Sequence, residues 1–82
     1  MLILSVSDKV KAGLNITGHQ IQSLAELLNI SRQSMSNKFY RDSFSAEDLI
    51  KIADFLGFEL AFINDNQKII FELKDIKSKD TK

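Results

Sequence analysis

The chain has 82 residues, with no cysteine, no proline, three glycines and a single histidine. Without cysteine there is no disulfide framework, no thiolate metal site and no thiol nucleophile. One histidine makes no metal site without a cluster around it. His19 has no Asp or Glu at ligand spacing, so it reads as a surface residue at a helix start. No glycine-rich phosphate loop is present, and no serine has a His base and an acid arranged beside it, so the sequence does not read as an enzyme. No apolar run approaches the ~20 residues needed to cross a bilayer. Met1–Leu4 is too short for a signal-peptide core and lacks a basic leader, which makes the cytoplasm the expected compartment. With 44% hydrophobic and 27% charged residues, the scarcity of Gly and Pro excludes a disordered or collagen-like chain and fits one small globular domain. Net charge is lacking too. Eleven Lys+Arg balance eleven Asp+Glu, which is not the signature of a strongly basic nucleic-acid binder.

The charge that is present is unevenly placed. Residues 1–41 carry five cations against two acids, a net of +3, and residues 42–82 carry six against nine, a net of −3. Such a split can separate a polyanion-facing half from a half with another task.

Helical spacing organises the first part of the chain. Ser5 or Ser7 can cap a first helix carrying Val6, Val10 and Leu14 on one side. Gly13 weakens it, and it is expected to be short and to end near Asn15. Thr17-Gly18-His19-Gln20 reads as a capping box for a second helix with Ile21, Leu24, Ala25 and Leu28 on its core face. Asn29 tolerates the left-handed conformation that ends helices, and Ser31 can cap a third. That third helix has only Met35 and Phe39 as apolar residues up to Phe39. A fourth starts at Ser45, with Glu47 and Asp48 in its first turn, a staple from Phe44 to Leu49, a core face of Leu49, Ile52, Ala53 and Leu56, and Gly57 as its stop.

After Gly57 the apolar period changes from 3.6 to 2. Two runs, 58–63 and 69–74, flank Asp65-Asn66, which suits a two-residue turn with positive φ. That register sets Phe62 opposite Ile69, Leu60 opposite Phe71 and Phe58 opposite Leu73, so all six share one face able to pack on the helices. The other face offers Ala61, Ile63 and Ile70. A lone two-stranded hairpin is marginal in water, so this second face and the open edge are expected to form a homodimer interface. Residues 75–82 are expected to form a solvated tail.

Residues Gln20–Tyr40 carry the chemistry. Two short helices joined by a tight turn, with small Ala25 at their closest approach, have the layout of a helix-turn-helix. Leu24, Leu28, Ile30, Met35 and Phe39 fill the wedge, and Arg32, Gln33, Ser34, Ser36, Asn37 and Lys38 point outward. Gln and Asn can bond bidentately to adenine, Arg and Lys to guanine, and Ser to several bases.

The stretch Leu24-Ala25-Glu26-Leu27-Leu28-Asn29-Ile30-Ser31-Arg32-Gln33-Ser34-Met35-Ser36-Asn37-Lys38-Phe39, followed by Ser45 to Gly57, resembles the Cro/phage-repressor type of helix-turn-helix proteins. The resemblance spans roughly residues 5–57. It implies a mainly α, lambda-repressor-like bundle of four to five helices, here with a C-terminal β-hairpin appended, that binds operator DNA, usually as a dimer. It also places Ser31, Arg32, Gln33, Ser36 and Asn37 where such proteins reach bases or adjacent phosphates. Asn29 stands where the family most often has Gly, Lys38 where an apolar residue is common, and the second helix begins about a turn early, at Thr17 to Gln20.

The resulting expectation is a non-enzymatic, sequence-specific regulator of transcription that reads double-stranded DNA with helix 31–40 and needs no cofactor. Its domain is 5–57, its hairpin 58–74. Gln33, Ser34, Ser36, Asn37 and Arg32 are the expected base contacts, and Ser31, Lys38, Arg41 and Gln20 the expected phosphate contacts. Tyr40 reads first as a packing residue and second as a phosphate contact. Lys9 and Lys11 read as plain surface cations. The rival expectation is a protein-interaction module, such as an antitoxin or adaptor built on the same scaffold.

Overall fold

The computed structural model describes residues 5–76, so Met1–Leu4 and the tail from residue 77 lie outside the described residues. The chain forms α1 (Val6–Thr17), α2 (Ile21–Leu28), α3 (Arg32–Arg41), α4 (Ala46–Leu56), β1 (Leu60–Ile63), β2 (Lys68–Phe71) and a 3-10 turn (Leu73–Asp75). Val10 and Leu14 of α1, Leu24 and Ala25 of α2, Met35 and Phe39 of α3, and Ile52 and Leu56 of α4 make one core, ringed by Ile21, Leu27, Leu28, Ile30, Phe44 and Leu49.

Side chains start three of the four α-helices. Ser5 and Asp8 form a full capping box on α1, Ser45 and Asp48 form another on α4, and the Ser31 hydroxyl accepts the Ser34 N–H on α3. Backbone ends them, in the same way four times. Gly18, Asn29, Asp42 and Gly57 all take positive φ. The residue after each donates its N–H back to a carbonyl five residues earlier, in the pairs His19 to Leu14, Ile30 to Ala25, Ser43 to Lys38 and Phe58 to Ala53. These are Schellman closures.

The boundary between α1 and α2 departs from the sequence expectation. The first helix runs to Thr17 rather than Asn15, and Thr17 does not cap the second. Its hydroxyl turns back to the carbonyls of Gly13 and Leu14, while Gly18 supplies the left-handed stop. The α2 helix therefore begins at Ile21, with Gln20 as an N-cap that makes no side-chain bond, and not a turn early. Gly13 is a site of close approach. A Cβ there would stand 3.2 Å from both Leu56 Cδ1 and Phe58 Cε2, tighter than ordinary van der Waals contact.

The hairpin keeps the expected register, with Leu60 opposite Phe71, Ala61 opposite Ile70 and Phe62 opposite Ile69. Three details differ. Asp65 and Asn66 do not take positive φ; the Asn64 carboxamide oxygen closes the turn instead by accepting the N–H groups of Asn66 and Gln67. Phe58 does not pair with Leu73, because its N–H is used in the α4 closure and its ring covers Gly13. Leu73–Asp75 is a 3-10 turn, held where the Glu72 N–H donates to the Asp75 carboxylate, so ordered structure continues into the start of the expected tail.

Ile50, which the four-residue core face of α4 omits, is buried as well. It lies in a cleft of about 400 Å³ shared with Ala53, Phe58, Ile70, Phe71 and Leu73, where the base of the hairpin meets α4.

Candidate nucleic-acid interface

The α3 helix is built to show most of its surface. Met35 and Phe39, one helical turn apart, are its only buried residues, and Phe39 packs edge-on against Phe44 with ring centroids 5.2 Å apart. Ser31, Arg32, Gln33, Ser34, Ser36, Asn37 and Arg41 are all exposed, as is Gln20 at the start of α2. The period of 3.6 brings Gln33, Ser36, Asn37 and Tyr40 into one outward stripe. Within it the Gln33 carboxamide N–H donates to the Asn37 oxygen at 3.5 Å, and at the helix start the Ser31 and Ser34 hydroxyls are 3.0 Å apart. Each side chain of this stripe carries both a donor and an acceptor, the groups that base edges in a major groove can match.

Tyr40 is not a packing residue. It is 90% exposed, at the C-terminal end of the same stripe, which leaves its hydroxyl and ring open to an external partner. Lys11, expected as a plain surface cation, sits with its ammonium 5.7 Å from the Phe39 ring centroid, within cation–π reach of the residue that anchors α3. His19 is exposed as expected and lies 4.7 Å from the Phe55 ring, centroid to centroid.

Lys38 behaves differently from the other cations of α3. Its ammonium is 2.8 Å from an Asp48 carboxylate oxygen, with side chains only 28% and 15% exposed. The same Asp48 oxygen accepts the Ser45 N–H of the α4 capping box. Burial by itself would push the Asp48 carboxyl up. The Lys38 hydrogen bond, the Ser45 N–H and the Lys38 charge outweigh it and hold the group below its ordinary 3.8. Among the described residues neither Arg32 nor Arg41 has a carboxylate within ion-pair distance.

A second tie holds the far end of α3. The Ser7 hydroxyl, buried in the first turn of α1, donates to the Phe39 carbonyl at 2.8 Å, and the Ser7 N–H donates to the Asp42 carboxylate at 2.7 Å. That backbone bond, with further help from the Ser7 side chain, lowers the Asp42 carboxyl below its ordinary value. Asp42 therefore ends one helix with its backbone and serves the N-terminus of another with its side chain. Sequence reasoning misses Ser7, Asp42 and the role of Asp48. The one available signal is Lys38 standing at a position where an apolar residue is common.

Among the described residues no group of three His, Asp or Glu side chains could hold a metal ion, and no helix is long and apolar enough to cross a membrane. No curated protein and no solved structure matches the chain. A family model does match, over residues 10–68, and this range takes in all four helices apart from the first turn of α1, together with β1. It describes the helix-turn-helix domain of bacteriophage CI repressors, and with most of its length inside that match the chain belongs to this family.

Proposed function

We propose that this protein is a sequence-specific DNA-binding regulator of transcription, a repressor that lays α3 in the major groove of its operator. The observation that carries the reading is the outward stripe of Gln33, Ser36, Asn37 and Tyr40, set on a helix whose only buried residues are Met35 and Phe39. Gln33, Ser34, Ser36, Asn37 and Arg32 contact base edges. Ser31, Gln20, Arg41 and Tyr40 contact flanking phosphates. The regulator works in the cytoplasm without a cofactor and without catalysis.

It acts as a homodimer paired through the hairpin, with two copies of α3 about one DNA turn (~34 Å) apart. Support comes from Ile63 and Ile70, exposed beside half-buried Ala61 on one hairpin face. Light scattering coupled to size exclusion tests this part. A concentration-independent species at the monomer mass of 9.3 kDa overturns it.

Selection from random-sequence DNA at several salt concentrations tests the whole reading. The expected result is an enriched palindromic site and an affinity that falls as salt rises. Asn37→Ala or Gln33→Ala is expected to cost about 1–3 kcal/mol and to relax preference at one base step. Recovery of no enriched sequence overturns the proposal and leaves the protein-interaction module as the better reading.

A further inference from the structure

We infer that Lys38 is a positioning residue for DNA recognition, acting through Asp48, and does not contact a phosphate. The inference rests on α3 as the DNA-reading helix. Lys38 lies on the flank of α3 away from the stripe of Gln33, Ser36, Asn37 and Tyr40, turned toward the start of α4. Its ammonium donates at 2.8 Å to a carboxylate that is only 15% exposed, and this ion pair competes with any phosphate for the same cation. Asp48 is itself fixed, since its carboxylate accepts the Ser45 N–H and its own N–H donates to the Ser45 hydroxyl. The cation is thus locked to a rigid helix start.

The Ser7 bonds hold the end of α3 at Phe39 and Asp42. The Lys38–Asp48 pair adds a hold on a different flank, one residue before Phe39. Together they resist rotation of α3 about its own axis. Rotation is the motion that would carry Gln33 and Asn37 out of line with base edges, because a bidentate contact requires a fixed side-chain direction. Lys38 therefore serves selectivity through the orientation of the stripe. Arg32 and Arg41, the α3 cations without a carboxylate partner among the described residues, are left to meet DNA, Arg32 at a base edge and Arg41 at a phosphate.

The two roles separate in the salt dependence of binding. A phosphate contact contributes about 0.9 to the slope of log affinity against log salt, and a positioning residue contributes nothing. Binding of the full chain to its selected site and to random DNA would be measured across salt for wild type, Lys38→Met, Lys38→Gln, Asp48→Asn and Arg41→Ala. Thermal unfolding would be recorded for each.

Lys38→Met is expected to lose roughly tenfold on the selected site, about the value of one good base contact, with the slope unchanged and random-DNA affinity retained. Lys38→Gln, which can still donate an amide N–H to Asp48, should recover most of that selectivity without the charge. Asp48→Asn should weaken the selected site even though it removes a negative charge, whereas Arg41→Ala should lower the slope. The inference is overturned if Lys38→Met and Lys38→Gln both lower the slope by about one, or if Asp48→Asn strengthens binding to the selected site. A wild type that shows no salt-dependent DNA binding at all overturns the DNA reading itself, a different result from either of these.

Discussion

The helical bundle and the hairpin are made from similar apolar residues and treat them in opposite ways. In the bundle, Leu24, Ala25 and Met35 are completely buried. In the hairpin, Phe62, Ile63 and Ile69 are 67%, 71% and 59% exposed, and only the end nearest α4, at Leu60, Ala61 and Phe71, is half covered. The six-residue apolar face expected to pack on the helices is therefore in contact at its base and bare at its tip. Alternating apolar residues establish how the two strands pair; what lies against them is a separate matter, decided by how far the neighbouring helix reaches. The four helices enclose a common core, whereas the hairpin tip keeps surface that a second molecule could cover.

The largest test of this contrast is truncation in the bundle. Leu24→Ala or Met35→Ala is expected to destabilise by about 2–5 kcal/mol in denaturant unfolding, because each leaves a cavity among fully enclosed neighbours. Ser7→Ala should cost about 1 kcal/mol by the same measurement, the worth of one buried hydrogen bond between α1 and the Phe39 carbonyl.

Acid gives a smaller, graded effect. The carboxyls of Asp42 and Asp48 lie below their ordinary 3.8 in the folded state, so their contribution is fully present above that value and is lost as pH falls through the lower folded ones. Stability should therefore decline below about pH 4, and Asp42→Asn or Asp48→Asn should each flatten that decline. Unchanged pH profiles would show that these ties carry nothing.

The smallest effect is expected in the hairpin. Ile63→Asp should alter unfolding by no more than about 0.5 kcal/mol at low protein concentration, while weakening self-association seen by light scattering. If it destabilised the isolated chain as much as Leu24→Ala does, the division between the two regions would fail.

Features set by neighbours along the chain are legible in the residues alone. Ser31 and Ser45 as helix starts, Asn29 and Gly57 as stops, and the pairing of Phe62 with Ile69 all follow from local chemistry. The α1 boundary is ambiguous in sequence because Thr-Gly can begin a helix or end one. Gly18 decides it, since its left-handed backbone returns the His19 N–H to Leu14. Ile50 escapes a local reading because its cover is the hairpin base, remote in sequence. Of the candidate site, the outward residues of α3 follow from periodicity. The residues that hold α3 do not, since Ser7 meets Phe39 and Asp42 across 32 and 35 positions, and Lys38 meets Asp48 on another helix. Tyr40 departs from expectation because an aromatic ring is usually drawn inward, whereas Phe39 beside it already occupies the core.

The four identical helix closures also bear on how quickly the chain can find its shape. Each reversal turns on one left-handed residue and a backbone bond, and none uses proline, which the chain lacks. Proline isomerisation takes tens of seconds, whereas a helical turn forms in about a microsecond or less. No step in making these corners has to wait for a slow peptide-bond rotation. Refolding from denaturant is expected to proceed without a phase of tens of seconds, so the corners of the bundle set no slow step between chain synthesis and the folded state.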